Sequence, residues 1–396
     1  MRLLNKDCCG CSACVNACPK QAITMTPDEY GFLYPQIDEE KCVDCGLCVK
    51  ACGYQEPPSM REPAACYAAA AKNEQILKKS ASGGMFAVLA ENVLKNSGVV
   101  YGAAMAEDFQ TKHIRIEESS ELPQLQGSKY VQSDMGFIMQ EAKRDLLDGR
   151  EVLFSGTPCQ IAGLNRFLGK PYSNLVTAEV ICHGVPSGKM FREFIAEQEE
   201  CCQKKILSFS FRSKVKGQGE TAELQLEDGR KIYKNAHLLS YTHYFLKTAL
   251  CRTSCYSCPF AQGKRVADLT LGDYWGFRQE HPKAAAGLSD GKGVSCVLVN
   301  TQQGQMLFER CKSDLYGIET AFDKIARHNM QLNRPCKCPP ERDAIMELYR
   351  EKGYAAVEKY YGKHSKKDRL IYRGMSVLPK GLKGRVKKLL GKLKHS

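Results

Sequence analysis

Cys8, Cys11, Cys14 and Cys18 follow the pattern C-x2-C-x2-C-x3-C, and Cys42, Cys45, Cys48 and Cys52 repeat it. Soft thiolates select iron–sulfur clusters or zinc, and the tight loop brings three sulfurs onto one face of a 4Fe–4S cluster. Where two such runs occur together, the fourth cysteine of each ligates the other cluster. The spacing therefore predicts one cluster on Cys8, Cys11, Cys14 and Cys52, and a second on Cys42, Cys45, Cys48 and Cys18. Zinc or a disulfide knot are the alternatives, and two matched copies argue against both. This end of the chain reads as a low-potential electron wire.

Further cysteines stand at strand-to-helix turns. In Phe154-Ser155-Gly156-Thr157-Pro158-Cys159-Gln160, Thr157 caps a helix and Pro158 takes its first position, where a missing N–H costs nothing. Cys159 then falls in the first turn, where the helix dipole favours a thiolate; a buried structural cysteine is the alternative, but packing explains a cysteine there poorly. Val180-Ile181-Cys182-His183-Gly184 repeats the arrangement. Two adjacent strands would deliver Cys159 and Cys182 to one sheet edge, the edge where α/β ligands bind. Cys255 and Cys258 complete a candidate third cluster, with Cys251 as the spare ligand. Taken literally, Cys251, Cys255 and Cys258 give C-x3-C-x2-C, the radical S-adenosylmethionine spacing. That reading needs a barrel of about 250 residues, and only 138 follow Cys258. Cys336-Lys337-Cys338 lacks a second pair and reads as inert, and Cys9, Cys66, Cys201, Cys202, Cys296 and Cys311 read as packing or exposed thiols. No histidine is assigned to a metal.

Ser80-Ala81-Ser82-Gly83-Gly84 opens a helix over 85–95, either as a plain cap or as open backbone N–H groups for a phosphate. The stretch 265–276 reads as a strand through Val266, Leu269 and Leu271, with Asp273 and the sole tryptophan, Trp275, at its end. That end is either part of a site or an aromatic plug.

The elements that must position these residues follow from periodicity. Residues 1–57 form a cluster module around a hairpin of residues 22–25 and 33–37, closing at Pro57-Pro58. Strands over 66–70, 98–105, 151–154 and 175–181 alternate with helices over 84–95, 135–147, 158–168 and 189–203, the mark of an α/β domain with some parallel sheet. Residues 206–233 form a small antiparallel insertion. Strands over 293–300 and 314–319 flank a helix over 304–311. The fold class is α+β overall, with an N-terminal ferredoxin-like two-cluster module and then an α/β domain with the antiparallel insertion. The expected divisions are 1–57, 60–150, 151–345 and a helical, basic tail over 346–396.

Twenty-one cysteines and no leader-like start point to metal and redox chemistry in the cytoplasm rather than to disulfides, in a setting that suits an anaerobe. The net charge of +13 is concentrated: residues 363–396 hold twelve Lys or Arg against one acid. The body is nearly neutral, so it meets electron-transfer partners and not nucleic acid. In the tail, Leu382, Val386, Leu389, Leu390 and Leu393 form one helical stripe among lysines, the composition of a peripheral membrane contact. Gly381, Gly384 and Gly391 weaken that helix and favour a solvated tail.

Taken together and in this order, Ser82-Gly83-Gly84, Gln126-Gly127-Ser128-Lys129-Tyr130, Gly156-Thr157-Pro158-Cys159-Gln160, Cys182-His183-Gly184 and Cys255-x2-Cys258…Asp268…Gly272-Asp273 resemble the coenzyme F-420 hydrogenase/dehydrogenase beta-subunit family. The resemblance covers residues 60–340. It implies FAD and a third 4Fe–4S cluster. It also implies phosphate contacts at Ser82, Gly83 and Gly84, and Lys129 beside the flavin ring as the catalytic cation. Gly156, Thr157 and Pro158 would pack cofactor against cluster, and Asp268 and Asp273 would join the cofactor-binding set. The implied activity is electron transfer between the clusters and a small-molecule substrate through FAD, with a ferredoxin-like or hydrogenase-like protein as partner. The rival is a relay subunit that performs no chemistry of its own. No G-x-G-x-x-G opens a helix after a strand, so a nicotinamide is not indicated.

Overall fold

The computed structural model describes residues 7–219, 221–288 and 291–377; the tail stripe Leu382–Leu393 lies outside the described residues. Thirteen strands are described: β1 Ile23–Pro27, β2 Leu33–Ile37, β3 Ala65–Ala71, β4 Val99–Met105, β5 Thr111–Ile116, β6 Val152–Gly156, β7 Leu175–Val180, β8 Ile206–Ser210, β9 Thr221–Leu226, β10 Lys231–Asn235, β11 Leu269–Asp273, β12 Ser295–Val299 and β13 Leu315–Thr320. They form a two-stranded hairpin of β1 and β2, a three-stranded sheet in the order β10-β9-β8, and an eight-stranded sheet in the order β13-β3-β12-β11-β7-β6-β4-β5. The fold is mixed α and β, with a ferredoxin-like N-terminal module on a large mixed sheet.

The middle of the large sheet is parallel: β4 pairs with β6, β6 with β7 and β7 with β11. Parallel strands are covered on both faces and read as unbroken apolar runs, as Val152, Leu153 and Phe154 do, each without exposed surface. Antiparallel strands complete both sides. The α/β expectation is met only in these four strands. The sheet draws strands from both sides of residue 150, so its core is continuous there. Its parallel pairing aligns Gly156 with Glu179 and Val180 with Leu271. The turns after β6, β7 and β11 therefore open at one edge.

The periodicity places most elements well. The helix at Pro158–Leu168 starts on Pro158, and Thr157 and Gln160 form a capping box. Gly169 ends it in the left-handed region at φ 72°, the conformation glycine adopts at little cost. Several expectations need correction. Ser82 does not cap the helix Met85–Lys95: Gly84 does, at φ 82°, while the Ser82 hydroxyl donates to the Val294 carbonyl at 3.0 Å. The helix expected from 135 begins at Ile138, and the strand expected from 265 begins at Leu269. Residues 346–364 are helical, as expected, but packed: within Arg342–His364, two helices that meet at a kink on Gly353 (φ 69°) bury Ile345, Met346, Tyr349, Tyr354, Val357 and Tyr361 in a Phe-rich core with Phe191 and Phe194. The open sheet also lacks the closed barrel that the radical reading requires. Among the described residues no helix is long and apolar enough to cross a membrane.

Glu179 and Arg265, at 0% and 2% side-chain exposure, form an ion pair inside the sheet. Thr270 donates to the same carboxylate oxygen at 2.9 Å. Burial pushes the Glu179 carboxyl up against the pull of Arg265. Through Thr270 the pair links β7 and β11 close behind the strand ends that lead to Cys182 and carry Asp273.

Candidate functional site

The repeat in the sequence is a repeat in the backbone. Gly10 and Ser12 take left-handed φ values of 70° and 60°, and their counterparts Asp44 and Gly46 take 47° and 71°. Each pair folds a cysteine loop inward before a short helix, Ala13–Ala17 or Leu47–Lys50. Cys8, Cys11, Cys14 and Cys52, together with Cys9, line one small cavity with Met25, Pro35 and Tyr54. Cys48 has Cys18 and Cys45 as neighbouring thiols. A donor set made of thiols alone around a cavity fits a 4Fe–4S cluster. Among the described residues, no three His, Cys, Asp or Glu side chains converge closely enough to hold a single metal ion.

The module docks on the helix Pro158–Leu168. A Cβ on Gly163 would come within 2.8 Å of Cys11 Sγ, and one on Gly53 within 2.5 Å of the Ala162 backbone, so both glycines permit close approach. Cys159 stands four residues before Gly163, on the same face and about 6 Å along the axis. The Cys9 thiol neighbours both Cys11 and Cys159. Its influence is the main reason the Cys159 thiol drops to about 7 although it is buried. Cys159 in turn neighbours Cys182, Cys255 and Cys258, so three distant turns make a third thiol set. Burial pushes Cys182 and Cys255 upward, and Cys258 up to about 12.

Arg252, with no exposed surface, locks the two regions together. Its Nε donates to the Cys8 carbonyl at 2.6 Å and its Nη2 to the Leu33 carbonyl at 2.8 Å. Its Nη1 donates to Gln132 at 3.1 Å, and the guanidinium lies 4.1 Å from the Tyr34 ring centroid.

Polar and aromatic groups gather at the same sheet edge. Asp273 accepts two hydrogen bonds from Arg212, at 2.9 and 3.2 Å, and one from Gln218 at 2.8 Å. Arg212 also lies 5.2 Å from the Trp275 ring centroid and donates to the Tyr130 hydroxyl at 3.2 Å. Tyr130 stacks on Phe245 at 4.5 Å, and Phe245 meets His183, the neighbour of Cys182. Lys214 donates to the Leu77 and Ser82 carbonyls. Lys129 donates to the Gln124 and Gln126 carbonyls at 2.9 and 2.8 Å. Burial of the ammonium groups pushes Lys129 down to about 7 and Lys214 to about 8.

The sequence-selected residues divide accordingly. Gly84, Lys129, Gly156, Thr157, Pro158 and Asp273 stand at or near this edge. Gly83 gives its N–H to Ser295 Oγ at 3.0 Å and has the Ala69 carbonyl where a Cβ would lie, so it shapes the turn. Asp268 stands elsewhere. Its carboxylate accepts from Thr177 N–H and hydroxyl, each at 2.7 Å, and from Thr301 at 2.6 Å. Five strand residues carry the chain about 17 Å, so Asp268 and Asp273 occupy opposite ends of β11.

A family model for the C terminus of the coenzyme F-420 hydrogenase/dehydrogenase beta subunit matches residues 149–324, and its N-terminal counterpart matches 66–139. The chain belongs to this family. A 4Fe–4S dicluster domain model matches residues 7–55 in front of it, and the chain is an iron–sulfur redox protein. No curated protein matches it. Among solved structures, it is similar to a chain of the F-420-reducing nickel–iron hydrogenase complex from Methanosarcina barkeri, at 17% identity and a TM-score of 0.46. That match covers 74% of this chain and 94% of the other.

In this family member, sequence reasoning passed over Cys9, Lys214, Arg212, Arg252 and Cys336. Cys9 read as a packing thiol yet touches two of the three sets. Cys336 read as inert yet its thiol contacts the Cys255 carbonyl at 3.5 Å. Of these, Cys9 alone carried a signal, its place inside the first cysteine loop. The others owe their roles to chain crossings that no spacing reports.

Proposed function

We propose that this family member is an FAD-dependent iron–sulfur oxidoreductase passing electrons between a protein partner and a small-molecule substrate. The observation that carries the proposal is the meeting of three features at one sheet edge: the third thiol set, a cation-rich aromatic cluster, and the docked dicluster module one helical turn away. In this reading Cys8, Cys11, Cys14 and Cys52 hold the inner cluster, and Cys18, Cys42, Cys45 and Cys48 the outer one. Cys159, Cys182, Cys255 and Cys258 hold the third. Residues 1–57 act as the electron-transfer module, with 60–150 and 151–345 together forming the cofactor-binding body.

The fit to FAD rests on the helix Met85–Lys95. It starts at buried Gly84, and no side chain caps its first amides, an end that suits a phosphate. Lys214 reaches that turn at the Ser82 carbonyl, while Asp273 holds Arg212 under the Trp275 ring. Gly156, Thr157 and Pro158 shape the wall between this site and Cys159, where the Thr157 hydroxyl contacts the Cys159 thiol at 3.2 Å. Bound FAD supplies the conversion between one-electron and two-electron transfer. Lys129, the proposed catalytic cation, would offset negative charge on a reduced ring. Asp268 is left out of the site, and Ser82 and Gly83 serve as turn formers.

A groove beside Cys18 is rimmed by Lys50, Lys143, Arg144 and Arg166, which suits a partner with an acidic docking face. A cytoplasmic setting agrees with the thiol content. The test is anaerobic purification followed by identification of any released flavin, in wild type and Lys214→Gln. FAD is expected in the first, with about tenfold weaker retention in the variant, the loss of one charged hydrogen-bonding partner. A wild-type protein that binds neither FAD nor FMN after reconstitution overturns the flavin reading.

A further inference from the structure

We propose that Arg252 is the buried counter-cation of the inner cluster, the charge that keeps that centre reducible inside the protein. That role rests on the assignment of the cluster to Cys8, Cys11, Cys14 and Cys52, and is independent of the flavin reading. Arg252 has no exposed surface. A guanidinium does not give up its proton in a protein, and a buried charge is costly unless an opposite charge compensates it. Yet every group that Arg252 hydrogen-bonds is neutral: the Cys8 and Leu33 carbonyls and the Gln132 amide oxygen. The Tyr34 and Phe32 ring centroids lie at 4.1 and 5.5 Å. Among the described residues no carboxylate pairs with it. Asp28 feels its charge, but Asp28 Oδ1 accepts from the Tyr30 and Phe32 N–H groups, at 3.0 and 2.7 Å.

What the cation faces is a cysteine loop. A Cβ on Gly10 would lie 3.1 Å from Arg252 Nη1 and 3.3 Å from its Cζ, so the guanidinium sits against the turn between Cys8 and Cys11. Gln132 completes the hold by donating to the Cys9 carbonyl at 2.8 Å. Tyr34, beside the guanidinium, is followed by Pro35, which lines the cavity of this thiol set. A 4Fe–4S centre held by four thiolates is a net anion, and reduction adds to its negative charge. Burial opposes that addition because no water screens it, and a fixed cation beside the centre favours it. The second repeat supplies the contrast. Asp44 stands where the first loop has buried Gly10, and both Asp44 and Cys45 are exposed. There water does the screening. One loop is repeated, with a fixed cation behind the inner copy and solvent around the outer.

The test is a mediated redox titration of anaerobic full-length protein, read by electron paramagnetic resonance, in wild type, Arg252→Gln and Arg252→Lys. Cys45→Ala, which lacks the outer cluster, identifies the inner signal. Arg252→Gln should make the inner centre about tenfold harder to reduce, a downward shift of about 59 mV for one electron, with the outer potential unmoved. Arg252→Lys keeps the charge and loses the planar fork, and should stay within about threefold of wild type. Loss of the inner cluster from Arg252→Gln but not from Arg252→Lys carries the same meaning. An unshifted inner potential in Arg252→Gln overturns the proposal. So does an effect in Arg252→Lys, on potential or on iron content, as large as that in Arg252→Gln, because it would make Arg252 a structural clamp. Full iron in Cys45→Ala overturns the ligand assignment and this role with it. Flavin content does not enter, so protein without flavin still decides the point.

Discussion

Residues 7–57 bring the eight cysteines of the two repeats together within one short stretch, whereas Cys159, Cys182, Cys255 and Cys258 come from three turns spread over almost a hundred positions. In the first region, paired left-handed residues curl each loop, and a two-stranded hairpin suffices as scaffold. In the second, the parallel pairing of β6, β7 and β11 aligns the strand ends. A locally built site depends on turn chemistry, and a site built by the sheet depends on the core behind it. The two meet through Cys9 and Arg252, which belong to opposite regions and reach across.

The largest expected effect is loss of a whole cluster. Holoprotein should carry about twelve iron atoms on the three-cluster assignment, and Cys45→Ala and Cys182→Ser should each remove about four. Iron analysis with spectra of the remaining centres separates the regions: the first variant keeps the third centre and the second keeps both N-terminal ones. Full iron in either variant breaks the corresponding assignment.

Next comes the core behind the sheet-built site. Glu179→Ala leaves the buried Arg265 unpaired and should cost about 3–5 kcal/mol, read as a lowered denaturation midpoint. The third centre should be lost before the N-terminal pair. Simultaneous loss of all three would show that the regions are not independent.

The smallest effect is a pH dependence confined to the body. His113 is buried, with Nε2 2.9 Å from the Ser155 carbonyl oxygen and Nδ1 2.9 Å from the Ser133 hydroxyl, and burial pushes it down to about 4. The folded state thus binds the proton less readily than the unfolded chain, where histidine titrates near 6.5. Stability is full above that value and falls as pH drops toward 4, by about 3 kcal/mol for this group. His243, also held down to about 4 by burial, acts in the same direction. Residues 7–57 contain no histidine. Urea unfolding followed through Trp275, which reports the body, should show the loss between pH 7 and pH 4, and His113→Asn should reduce it. An unchanged slope in that variant would remove His113 from the account.

Much of this was legible in the sequence. The hairpin, the four parallel strands and the helix from Pro158 to Leu168 follow from apolar runs, a proline at the helix start and a glycine at its end. Ser82 misled because a serine before paired glycines looks like a cap, while the hydroxyl finds Val294, 212 residues away in sequence, a better partner. Asp268 misled because nearness in sequence to Asp273 means little along an extended strand.

By itself the sequence determined which residues have cluster chemistry and which loops and helices present them. Thiol type, turn residues and capping boxes act over a few bonds and are written in consecutive positions. Tertiary structure alone decided that Cys9 lies between two thiol sets, that Arg252 spans both regions, that Lys214 reaches the Ser82 turn and that Cys336 meets the Cys255 carbonyl. These contacts join positions dozens to hundreds apart. They exist because burying both faces of one sheet forces distant turns onto a common edge, a constraint of the whole core that no single stretch of chain carries.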